Sequence, residues 1–126
     1  MGTTATVRTV LGDVADTALG PTNYHEHLFQ VSPLLVGDEL DDEPASLAEA
    51  ASLTTSGFAT VVDATPIGLG RRPAAVARIS VAAGLHVVVT TGAHREPHYG
   101  AGHWILDLPE DQLAERFCRE VTHGMP

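Results

Sequence analysis

The chain is 126 residues long, 44% hydrophobic and 18% charged, and its 16 acidic residues face seven arginines and no lysine, for a formal charge of -9. That length and apolar content suit one globular domain, and the negative balance argues against nucleic acid or an anionic membrane surface as a partner. No apolar run approaches the ~20 residues of a membrane-spanning helix, residues 1–9 lack a secretion signal, and the single Cys118 excludes an internal disulfide, so the expected compartment is the cytoplasm.

The elements alternate. Thr6 to Val10 and Val14 to Ala18 flank Leu11-Gly12-Asp13 and read as a hairpin. Gly20-Pro21 punctuates the entry to a first core strand, Thr22 to Leu28. After an acidic loop, Ala45 to Ser56 reads as a helix, with Leu47, Ala50, Ala51 and Thr54 at three- and four-residue spacing and Gly57 as its stop. Thr60 to Asp63 is a short β-branched strand leading into the Gly-rich loop Pro66 to Gly70. Pro73 opens a second helix with Val76, Ile79 and Ala83 on one face, ended by Gly84. His86 to Thr91 has the composition of a strand covered on both faces. A long loop, Gly92 to Leu108, precedes a third helix from Pro109 to Gly124, with acids in its first turn and Leu113, Phe117 and Val121 as its apolar stripe. Three strand–helix units in a row imply a parallel sheet, in which chemistry gathers at the C-terminal strand ends.

The polar candidates fall at those ends. In His25-Glu26-His27, residues two apart on a strand point the same way, so two imidazoles share a face while Glu26 turns from it, giving half of a metal site. A pair of unconnected surface histidines is the competing reading of that spacing alone. Asp63 ends the second strand beside Thr65 and is expected to hydrogen-bond structurally rather than catalyse. Gly68-Leu-Gly70-Arg71 lacks the lysine or spacing of a phosphate cradle and reads as a tight turn. His86 begins a strand away from the mouth, and His98 and His103 read as loop residues. His123 reads as a cation at a helix C-terminus or simply an exposed residue, and Cys118 as a small core residue beside Ala114 and Val121. The run Asp38 to Glu43 lacks the ligand alternation of a calcium loop.

Four segments in order carry a resemblance. Gly20-Pro-Thr-Asn-Tyr-His25-Glu-His27-Leu28, Thr60-Val-Val-Asp63-Ala-Thr-Pro66-Ile-Gly68-Leu-Gly70-Arg71, Gly84-Leu-His86-Val-Val-Val-Thr-Thr91-Gly92, and Arg95-Glu-Pro97-His-Tyr99 with His103-Trp104 resemble the phosphotriesterase family of metal-dependent amidohydrolases, in its phosphotriesterase-related and lactonase-like branch. The similarity runs from about Val7 to Gly124. It implies a (β/α)8 barrel of TIM type with a binuclear, usually zinc, centre at its C-terminal mouth. There a metal-bridging hydroxide attacks a lactone carbonyl or an organophosphate ester. By the match, His25 and His27 would ligate the more buried metal, and Glu26 would support the barrel wall. His94 would stand where the family carries an aromatic pocket residue, and Trp104 would border the pocket or pack its loop. A small ester or lactone substrate, and a homodimer of a full-length form, belong to the same expectation.

The chain also departs from that pattern. The family's bridging ligand is a carboxylated lysine on the fourth strand, and further ligands lie on the fifth, sixth and eighth. No lysine is present here, and two imidazoles do not complete a tetrahedral zinc site. Residues 1–126 are therefore expected to be one domain, the N-terminal portion of such a barrel, with a hairpin and about three of eight βα units. Ending before a fourth strand, it would be inactive alone. The alternatives are a non-catalytic remnant and one half of a split barrel. A cupin, which also uses His-x-His, is disfavoured because helices alternate with the strands and Gln30-Val31 follow where a glutamate is wanted.

Overall fold

The computed structural model describes residues 2–126 of the chain. Strands β1 (Thr6–Thr9) and β2 (Gly12–Ala15) form the antiparallel hairpin, with Thr9 opposite Gly12. Strands β3 (Thr22–Glu26), β4 (Thr60–Asp63) and β5 (His86–Val89) form a parallel sheet in the order β3-β4-β5. The sheet is open, with three strands and no closure into a barrel among the described residues.

Helix α1 (Glu43–Thr55) starts two residues earlier than its periodicity predicts, because Asp42 caps it by accepting from the Ala45 N–H at 3.0 Å and Pro44 suits the first turn. Helix α2 (Pro73–Ala83) ends at Gly84, whose φ of +65° is a left-handed stop that favours glycine. Between the sheet and these helices lies one apolar cluster, built on Leu28, Phe29, Val61, Val76, Ile79 and Val87. Each such side chain contributes about 1.5–3 kcal/mol on burial, so this cluster rather than the mostly exposed hairpin anchors the fold.

Helix α3 (Glu110–His123) rests on a second cluster of Ile67, Leu69, Tyr99 and Ile105 through Leu113 and Phe117. Two expectations fail here. Cys118 is exposed and Val121 is 63% exposed, so only the first two members of the apolar stripe are even partly buried. Likewise β5 has only Val87 fully buried. Its neighbours are half-exposed because helices cover the sheet on one side, whereas its valine-rich composition suggested cover on both. The Gly-rich loop is a tight turn as expected. Gly68 and Gly70 both have φ of +80°, and a Cβ on Gly70 would lie 2.8 Å from the Val31 nitrogen.

Candidate metal centre

The ends of the three parallel strands meet along one edge of the sheet, and β3 is irregular there. Asn23 pairs with Val61 but Glu26 pairs with Asp63, so one extra residue is accommodated in β3, a bulge of the kind that re-aims side chains. His25 and His27 emerge from it with ring centroids 5.3 Å apart and planes at 80°, which places both imidazoles on one side. His25 is exposed and His27 half-buried. Glu26 is used locally. One carboxylate oxygen accepts from the Asn23 side-chain amide at 3.3 Å and the other from the His27 N–H at 3.1 Å.

Beyond Glu26 the backbone ladder stops, and side chains of the β4 end take over the pairing. The Ala64 N–H reaches the Glu26 carbonyl at 2.7 Å. Asp63, 2% exposed, accepts from the Thr65 N–H at 3.0 Å and the Leu28 N–H at 3.4 Å. Burial pushes its carboxyl up from the usual range, opposed by those hydrogen bonds and by His27. Thr65, 1% exposed, donates its hydroxyl to the Phe29 carbonyl at 2.8 Å and lies 2.9 Å from His27 Nδ1. Burial also holds His27 below the ordinary histidine range. Asp63 and Glu26 pull it up, while His25 and His94 push it down further.

The loop after β5 brings His94 within electrostatic reach of His27. The Tyr99 hydroxyl accepts from the His94 N–H and donates to the Ile67 carbonyl, both at 2.8 Å, so this loop is fastened to the one after β4. His94 stacks on His98 at 3.8 Å, and its Nδ1 accepts from the Arg95 N–H at 2.7 Å. His98 in turn contacts the Ser32 hydroxyl at 3.3 Å. Trp104 is 42% exposed, with its ring against His103 and under the Arg116 guanidinium. His103 does more than the loop role expected of it. Its Nδ1 accepts from the Ile105 N–H, so Nε2–H donates to the Gly68 carbonyl at 3.1 Å.

Sequence reasoning missed two features of this edge. Thr65 was only a neighbour of Asp63, and its contact to His27 spans 38 residues. Arg71 and Glu120, 49 residues apart, form a bidentate pair at 2.6 and 3.1 Å with side chains 9% and 4% exposed. Thr91 donates to the same carboxylate at 2.6 Å, and Arg71 also reaches the Thr90 carbonyl. This knot ties the loops after β4 and β5 to α3. Only the arginine closing the Gly-rich turn hinted at it.

Two neutral imidazole nitrogens on one side suit zinc, so His25 and His27 fit as two ligands of such an ion. No third histidine, cysteine or carboxylate completes a set with them among the described residues. Beside the pair runs a groove of about 450 Å³ between β3 and α1, with Glu39, Asp41, Asp42 and Glu49 on its walls.

The fold is a parallel α/β sheet with two histidines together at the end of its first strand. The phosphotriesterase family profile matches residues 5–126, and the chain belongs to that family. It is 33% identical over 132 residues to a phosphotriesterase homology protein of Mycobacterium tuberculosis, covering 94% of this chain and 40% of that protein. A phospho-furanose lactonase of Mycoplasmopsis agalactiae is 29% identical, with 94% and 36% covered. Among solved structures, the organophosphorus hydrolase of Deinococcus radiodurans superposes with a TM-score of 0.78 at 35% identity, over 99% of this chain and 41% of that one. A lactonase of Listeria monocytogenes gives 0.78 at 30% identity, over 96% and 43%. The chain thus spans about 40% of the length of the relatives it matches. No helix among the described residues is long and apolar enough to cross a membrane.

Proposed function

We propose that these 126 residues form one side of a (β/α)8 barrel, a zinc-dependent hydrolase of lactones or organophosphate esters, and that His25 and His27 are its first two metal ligands. The observation that carries the reading is the histidine pair on one side of the β3 end, in a chain of the phosphotriesterase family. A bound metal would lower the pKa of water toward neutrality and polarise the carbonyl or phosphoryl oxygen bonded to the atom under attack. The chain's own residues hold and shape the site. His27 stays neutral and available because burial disfavours its charged form. Glu26 and Asp63 fix the backbone on either side of it. His94, carried toward His27 by Tyr99, borders the substrate, and Trp104 closes the same loop down.

The remaining ligands would come from strands these residues do not contain, so the chain alone is expected not to turn over substrate. The cytoplasm and a homodimeric assembly of the whole protein belong to the same reading. The alternative reading is a non-catalytic remnant or one half of a split barrel. Mixing decides. The chain is combined with a polypeptide carrying the later strands of the Deinococcus radiodurans hydrolase and assayed on an aliphatic lactone and an aryl dialkyl phosphate. Hydrolysis that a chelator abolishes, and that His25→Ala and His27→Ala each reduce at least ~100-fold (about 2.7 kcal/mol at 1.36 kcal/mol per decade), supports the enzyme. Hydrolysis unchanged in both variants overturns the ligand assignment.

A further inference from the structure

We infer that Thr65 is a positioning residue that fixes the tautomer of His27, leaving the Nε2 lone pair available to a metal. A threonine hydroxyl has one proton. In this structure that proton is committed, because the only group 2.8 Å from Thr65 Oγ1 on the Phe29 side is a carbonyl oxygen, which can only accept. Toward His27 the hydroxyl oxygen therefore accepts, and the imidazole must donate from Nδ1 across 2.9 Å. A neutral imidazole with its proton on Nδ1 carries its lone pair on Nε2. Free histidine in water favours the opposite form, so the fold selects the less common one at this position.

Thr65 is itself immobilised. Its N–H donates to Asp63, whose other oxygen holds the Leu28 N–H. With 1% exposure it has no water to substitute for either partner. One buried hydroxyl thus locks the ring's rotation and its proton together. Partners of this kind commonly alter metal affinity 10- to 100-fold when removed. The inference concerns Thr65 and rests on the proposed ligand role of His27 for its consequence, though not for its geometry.

Two measurements on the 126-residue chain separate the two ideas. Ring-nitrogen NMR of the metal-free protein at pH 7.5 reads the tautomer of His27 in wild type, Thr65→Val and Thr65→Ser. The expected result is Nδ1–H in wild type and Thr65→Ser, and a shift toward Nε2–H in Thr65→Val. Wild-type His27 found as Nε2–H, or Thr65→Val keeping the wild-type tautomer, overturns the inference. Zinc titration of the same samples is expected to show binding weakened ~10- to 100-fold in Thr65→Val and restored in Thr65→Ser. The expected tautomers with zinc uptake that neither His25→Ala nor His27→Ala alters would support the Thr65 role and overturn the ligand reading instead.

Discussion

At the scale of single residues, His27 and Asp63 are opposed titrating groups a short distance apart, and both are perturbed mainly by burial. For His27 the folded value lies below the unfolded one, so the folded state holds that proton less tightly. Its contribution to stability is complete above about pH 6.5, the ordinary histidine value, and is lost as pH falls through the folded value. Asp63 runs the other way. With its folded value raised, its contribution is present at low pH and shrinks as pH climbs from ~3.9 toward that value. Between pH 7.5 and 5.5 the His27 effect should dominate. Urea midpoints are expected to fall over that interval more steeply in wild type than in His27→Gln, and parallel curves would contradict the assignment. Removing the Asp63 carboxylate is a separate test. Asp63→Ala orphans two buried N–H groups, at about 1–3 kcal/mol each, and denaturant unfolding should register a loss of that size without a change in slope.

At the scale of elements, the Arg71–Glu120 pair adds a buried polar tie between α3 and the loops after β4 and β5. Burial works against the charge of Glu120, but the Arg71 guanidinium and the Thr91 hydroxyl outweigh it and keep the carboxyl below its usual range. Leaving Arg71 buried without its partner should be costly. Glu120→Gln is expected to destabilise by about 3–5 kcal/mol, whereas Arg71→Met with Glu120→Leu should lose much less. Equal losses in the single and double variants would show that the ion pair is not the source. The helices and β4 were legible because their signals are local: capping residues, Pro and Gly stops, and apolar spacing over a dozen residues. The bulge in β3, the Thr65–His27 contact and the Arg71–Glu120 pair were not, because each depends on which distant backbone lies alongside. The exposed Cys118 shows the converse failure. A stripe at helical spacing predicts burial only as far as there is something to pack against, and α3 meets its second cluster through Leu113 and Phe117 alone.

At the scale of the whole molecule, the sheet order β3-β4-β5 leaves the histidine pair on an outer strand, next to a groove with acidic walls. That arrangement creates a competition. A divalent cation added to a chain of formal charge -9 has carboxylates as well as imidazoles to choose from, and uptake alone does not say which it took. Zinc-edge X-ray absorption of the one-to-one complex, compared with the His25→Ala and His27→Ala variants, answers this directly. Two imidazole nitrogens are expected at ~2.0–2.1 Å, with the imidazole signature halved or lost in each variant. A coordination shell made of carboxylate oxygens, unchanged when either histidine is removed, would contradict the ligand assignment.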